Sequence, residues 1–238
     1  MRALTATTSD SGRPSRGIRA LPAAVLVAVV LAGATVVAGA PCPGCAEART
    51  TNGWCDACGV GYVGDVPIRS KYLWEILDAH GHELNLANLG CTQCDAALEV
   101  DGYCPKSRIG FVDRKAYFSR LTWLLARSER HEIEEIQCPV CRENFAGAGW
   151  CEQCGIGRVG RYALDDRGDF DNLVHDLEIL DLANAAAERC EHCAVAIVTD
   201  TECPFCRIRY EDGQPAAGSE RPADPDLGRL RPARARGR

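Results

Sequence analysis

Fifteen cysteines dominate the chemistry available to this 238-residue chain. Fourteen of them form seven C-x2-C pairs, and Cys104 stands alone. Cys42, Cys45, Cys55 and Cys58 are spaced as two pairs separated by nine residues, and the same spacing returns at Cys138, Cys141, Cys151, Cys154 and at Cys190, Cys193, Cys203, Cys206. A further copy, Cys91, Cys94 and Cys104, has Ser107 where the fourth thiol belongs. A C-x2-C turn presents two thiolates to one metal ion, and two such knuckles complete a closed tetrahedral shell. The spacing therefore predicts three complete four-cysteine zinc sites and an incomplete fourth, which His80, His82, His131 or a water could complete. An open zinc position is what catalysis requires, yet no nearby acid is fixed by motif as a general base. The competing chemistry is seven adjacent-pair disulfides with Cys104 left over, but a disulfide framework has no need of the paired spacing.

The elements that must hold these thiols recur with them, because the copies begin 49, 47 and 52 residues apart. Between the first two knuckles, Thr50, Thr51, Asn52 and Gly53 read as a hairpin turn. Trp54, Tyr103 and Trp150 each precede the third cysteine position, where an aromatic ring shields sulfur from water. A short strand follows the last ligand, with a Gly-x-Val element at Gly61, Gly110 and Gly157. Glycine there implies positive φ or a close approach of the backbone to the metal knuckle. Amphipathic helices are predicted over 70–80, capped by Ser70 and stopped by Gly81, over 117–127, and over 170–187 as one helix or two. In the fourth copy, 194–198 reads as a strand, and no helix follows Cys206. The acidic stretch 165–169 resembles a calcium loop superficially but lacks the twelfth-position glutamate, so it reads as a solvated turn.

The fold class is thus small metal-stapled α+β repeats, each a two-knuckle zinc-ribbon hairpin plus short strand and amphipathic helix. The division is 1–40, 41–90, 91–137, 138–189, 190–212 and a Pro/Gly/Arg-rich tail at 213–238. Modules of about 50 residues bury too little apolar surface to fold securely without such a staple. Residues 1–20 are basic, and an uncharged run fills 21–40. That order matches an export signal, with A-x-A elements at 32–34 and 38–40, and the run is also long enough for a single-pass anchor. The expected location is extracytoplasmic, either secreted or periplasmic, or membrane-anchored. Residues 41–206 carry 15 Lys and Arg against 27 Asp and Glu, a balance opposite to that of a phosphate-tracking surface, so no nucleic-acid partner is expected.

The cysteine arrangement, with Gly59 and Gly155 directly after second-knuckle cysteines, resembles the zinc-ribbon and rubredoxin-like knuckle class over four segments of about 17 residues each. The resemblance implies a structural or interaction module. Rubredoxin-type proteins also hold iron in this geometry, but their long spacer and aromatic core have no counterpart here, which places zinc ahead of iron. The expected function is a non-catalytic tandem zinc scaffold that binds a protein partner. Soft-metal buffering or transfer and thiol–disulfide chemistry are the alternatives. Ser-His-Asp, phosphate-loop and H-E-x-x-H patterns are missing from the sequence.

Overall fold

The computed structural model describes residues 42–84 and 90–219. The first module shows the plan. Helix α1 (Pro43–Thr51) leads into a three-stranded antiparallel sheet of β1 (Trp54–Cys55), β2 (Val60–Val63) and β3 (Val66–Ile68), and α2 (Lys71–Leu77) packs on it. The second module repeats the order as α3 (Thr92–Glu99), β5 (Tyr103–Cys104), β6 (Ile109–Val112), β7 (Lys115–Tyr117) and α4 (Arg120–Arg127). The third does so as α5 (Pro139–Asn144), β9 (Ala148–Cys151), β10 (Ile156–Val159), β11 (Tyr162–Leu164) and α6 (Arg167–Ala187). The fourth has α7 (Glu191–Thr199) and a hairpin of β12 (Tyr210–Glu211) and β13 (Gln214–Pro215).

Three expected elements change. The first half of the hairpin turn expected at 50–53 is the last turn of α1, which ends at left-handed Asn52, and the strand expected at 194–198 is helical, belonging to α7. The β-branched residues of 194–198 favour a strand, but Ala194, Ala196 and Ile197 bury one helical face. Local propensity yields to packing here. The acidic stretch at 165–169 starts a helix: Asp166 caps α6 by accepting from the Asp169 amide at 2.8 Å. Ser70 and Ser119 cap α2 and α4 in the same way, each at 3.1 Å. The first of these is the predicted cap, although α2 ends at left-handed Asp78 rather than at Gly81.

The glycines of the Gly-x-Val element have a different neighbour from the one predicted. None of the three has positive φ. A Cβ on Gly61 would lie 2.5 Å from Trp74, on Gly110 2.2 Å from Trp123, and on Gly157 2.3 Å from Phe170. The backbone therefore comes close to an aromatic ring of the following helix, not to the metal knuckle. Across the sheet, Trp54, Tyr103 and Trp150 stand opposite the same glycines. Their rings meet Trp74, Trp123 and Phe170 at 5.7, 5.4 and 5.8 Å. Each helix is thus clipped to its sheet by an aromatic pair seated over a bare strand position. The fourth copy has Arg209 in place of the glycine and Glu202 in place of the ribbon aromatic, as suits a module with no helix to clip.

The modules are not beads on a string. After α2 the chain enters β4 (His82–Glu83), which pairs with β7 of the next module. After α4 it enters β8 (Glu129–Arg130), which pairs with β11. Each of these modules hands an edge strand forward. Apolar side chains from all four modules then join one core, which includes Val63, Leu73, Leu124, Leu173, Leu180 and Ile197. Arg120 of α4 donates to Asp176 of α6 at 2.9 Å, tying two modules across that core.

The N-terminal segment expected at 1–40 and the basic end of the tail lie outside the described residues. Among the described residues, no helix is long and apolar enough to cross a membrane. The longest, α6, has 21 residues but carries Asp169, Asp171, Asp176, Glu178 and Asp181. Among the described residues, this corrects the expectation of a single-pass anchor.

The aromatic clip predicts an asymmetric response to a single methyl group. Gly157→Ala should cost about 1–3 kcal/mol in denaturant unfolding. Gly147→Ala, with nothing within 4 Å of the new Cβ, should stay within about 0.5 kcal/mol of the parent.

Candidate metal centres

In every module the first cysteine of the first pair is the residue immediately before a helix: Cys42 before α1, Cys91 before α3, Cys138 before α5 and Cys190 before α7. The second cysteine of the pair lies three residues on, so one helical turn presents both sulfurs. Pro43 and Pro139 occupy the first helical position, where a missing N–H costs nothing. The first pair therefore sits at a helix N-terminus, and the predicted hairpin knuckle applies to the second pair only. First-turn amides and the helix dipole favour thiolate over thiol. The Cys45 amide is the main influence bringing Cys42 down to about 7, and the Cys141 amide does the same for Cys138, to about 7. Neither sulfur forms a capping bond of full geometry.

The second pair is held by a backbone device. The residue after the fourth ligand position is left-handed in all four modules: Gly59 at φ 63°, Arg108 at 56°, Gly155 at 65° and Arg207 at 58°. The amides of Gly59, Gly155 and Arg207 return to the carbonyl of the third cysteine at 2.8, 2.8 and 2.9 Å. A second recurrent bond closes the far end of the ribbon. Asn52, Asp101 and Asp200, left-handed just beyond their helices, accept from the amides of Gly64, Asp113 and Asp212 at 3.1, 3.0 and 2.9 Å.

These devices bring together every predicted ligand. Within each cluster all cysteine Sγ atoms lie within 4.8 Å of one another. Across the pairs, Cys42 and Cys55, Cys91 and Cys104, Cys138 and Cys151, and Cys190 and Cys203 are separated by 3.8, 3.9, 3.8 and 3.9 Å. A tetrahedron with Zn–S bonds of about 2.3 Å has edges of about 3.8 Å, whereas a disulfide requires about 2.05 Å. The structure thus contains three complete four-cysteine clusters and one three-cysteine cluster with the pattern of zinc sites, set in tandem knuckle-like modules. The four differ in burial. Cys58 and Cys154 are exposed, whereas the fourth cluster merges with the main core through Cys193, Cys203 and Cys206.

The incomplete cluster keeps its fourth corner in oxygen form. Ser107 Oγ accepts from Cys94 Sγ at 3.2 Å. The Ser107 hydroxyl, ahead of the Cys94 amide, draws Cys91 down to about 6. Among the described residues no histidine joins this cluster. His82 is 2.7 Å from Asp78 and stacks on Phe118, His80 lies beside Asp78 and Trp74, and His131 lies between Glu129 and Glu135. His192, inside the fourth cluster's first pair, packs its ring between Tyr72 and Phe205.

Comparison of the chain with protein-family models, curated proteins and solved structures gives no match. The chain's own four copies are therefore its best alignment. They show a position that cysteine spacing alone did not reveal: Tyr62, Phe111, Arg158 and Tyr210, each four residues after the fourth ligand position. Tyr62 packs on Cys55, and Phe111 on Cys94 and Cys104. Tyr210 lies in the core with Cys193 and Cys203, where burial raises its hydroxyl pKa.

Two outcomes follow for the metal sites. Cys58 and Cys154 are held up to about 12 by hydrogen bonds shared with neighbouring thiols, chiefly Cys45 and Cys138, so loading at neutral pH must displace their protons. Acidification through about 7 adds protons on Cys42 and Cys138, which opposes loading further. Zinc affinity in competition with a chromophoric chelator should therefore fall as pH falls. Ser107→Cys should raise the bound metal by native mass spectrometry or slow release from this cluster by about tenfold or more; unchanged loading and release would contradict the geometry given for Ser107.

Proposed function

We propose that the protein is a non-catalytic zinc scaffold whose metal sites fold four modules into one body that binds a protein partner. The observation carrying this reading is the position of the clusters. Each joins the start of a helix to the start of a ribbon, and three of the four lie in small satellite clusters outside the shared core. Such placement serves shape. The closed sulfur shells offer no free position at three sites, which disfavours substrate chemistry there.

A surface on this body suits a partner. A cavity of about 430 Å³ opens between α2, α4, α6 and α7, lined by Ile76, Phe118, Ile179, Ile197 and Val198 and edged by Arg120 paired with Asp176. Phe118 is 46% exposed and Ile76 43%. Exposed apolar side chains around a concavity characterise recognition surfaces. The acidic balance of the modules favours a partner segment with an apolar anchor and basic flanks.

Soft-metal exchange is the second reading, favoured by one observation: Ser107 leaves one cluster with three thiolates. It would make the second module the exchangeable site.

Chelation separates the leading reading from a metal-independent fold. Stripping the metal from the full chain under reducing conditions should abolish its cooperative unfolding transition and the crosslinking of a partner through a photoreactive residue at position 118. Retention of both without metal would defeat the scaffold reading.

A further inference from the structure

The position behind the sulfurs is aromatic in three modules, but in the third it is Arg158. This side chain is only 5% exposed. Its Nε and Nη1 are shielded from solvent and have no hydrogen-bond partner, and it forms no ion pair among the described residues. Strand alternation fixes the face it occupies. Gly157 faces Phe170 of α6, so Arg158 faces the other side of β10, against which α5 packs. This is the side on which Tyr62 and Phe111 meet the sulfurs of their own modules.

A second orphaned donor lies next to it. Arg158 stands directly opposite Gly149 in the sheet, and Asn144 of α5 lies over Gly149, its Oδ1 2.4 Å from where a Cβ would be. Asn144 Nδ2 is also buried without a partner. In the other modules this helix position holds Ala48, Ala97 and Ala196. The third module has therefore exchanged an alanine and an aromatic residue for two groups whose unsatisfied buried atoms are all N–H donors. A buried guanidinium is stable only beside compensating negative charge. The helix carrying Asn144 begins at Cys138 and also carries Cys141. A zinc ion with four thiolates has a net charge of about −2, and the cluster at the start of this helix would supply such an anion.

We propose that Arg158 is the charge-compensating residue of the Cys138–Cys141–Cys151–Cys154 centre. Its buried cation stabilises the loaded four-thiolate state and lowers the nucleophilicity of those sulfurs relative to the other clusters. The inference rests on the metal reading of this cluster. Arg158 is a positioning residue acting through charge, and it is not a ligand. Groups outside the ligand shell commonly change metal affinity by about 10- to 100-fold, and an aromatic ring at this position supplies packing without charge.

The experiment uses the full zinc-loaded chain and follows alkylation of each cysteine by peptide mass spectrometry during a chelator challenge. Native mass spectrometry first counts the metal. If the parent protein carries no ion at Cys138–Cys154, the metal reading fails, and this inference fails with it. With the ion present, Arg158→Met and Arg158→Tyr should each speed alkylation of Cys138, Cys141, Cys151 and Cys154 by about tenfold or more. Cys190 and Cys193 should keep their parental rate, which also reports that the fold is intact. Arg158→Tyr restores the residue found at positions 62 and 210 and so tests charge in a side chain the module plan accepts. Arg158→Lys, which keeps the charge, should remain close to the parent. Parental rates in the Met and Tyr variants, or a Lys variant as fast as Met, would overturn the role of charge while leaving the metal reading in place.

Discussion

Convergence of sulfur atoms on one point is the constraint from which the modules are built. Bringing the Sγ atoms of each cluster to within 4.8 Å is unfavourable without an ion, because thiolates repel and each backbone must be ordered to place them. Two local structures meet that demand with little strain. A helix N-terminus places two sulfurs on one turn amid amides that favour negative charge. A tight turn ending in a left-handed residue places the other two. Once both are fixed, the helix and the ribbon have a set relative position, and the Asn52-type bridge to the hairpin turn locks the opposite end.

What lies beyond the cluster is ordered by proximity to it. The ribbon's second strand alternates faces, one side chain toward the sulfurs and the next toward the following helix. The glycine on the helix face lets an aromatic ring reach the strand, and the ring on the opposing strand closes over it. This arrangement gives a small module one well-packed contact without a large core. The remaining stability comes from sharing. Edge strands β4 and β8 belong by sequence to one module and by hydrogen bonding to the next, and α6 lies against α4 and α7. The second or third module, cut at its first cysteine, would lose an edge strand.

Much of this was legible in the sequence because metal ligands are specific in both type and spacing. All fifteen cysteines fall in the clusters their spacing predicts. The helix cap at Ser70 and the apolar face of the 170–187 helix were legible for a similar reason, since both follow from fixed offsets. The helical first pair was not, because a C-x2-C turn is compatible with a hairpin knuckle and with a first helical turn alike. Strands of two residues, such as His82–Glu83, carry no periodicity to read. Of the two roles the sequence allows these glycines, positive φ and close approach to the knuckle, the first does not hold and the second holds with a different neighbour, because sequence order places the cysteines nearer than Trp74, Trp123 or Phe170. Aligning the four copies would have paired each glycine with an aromatic residue 13 positions on.

The same alignment shows how the copies differ while the plan persists. Serine at 107 changes a donor atom yet preserves a hydrogen-bonded corner, so the second module keeps its shape with three thiols in its cluster. Its helix compensates: α4 buries Leu121, Trp123, Leu124 and Leu125, more apolar surface than α2, which buries Leu73 and Leu77. The fourth module loses the clipped helix and instead sinks its sulfurs into the core that the other three create. Arg158 reverses the environment behind the third cluster from apolar to cationic. Four clusters built on one spacing thus differ in their ligands or their surroundings, and for a thiolate cluster the surroundings help set its retention of metal and its reactivity.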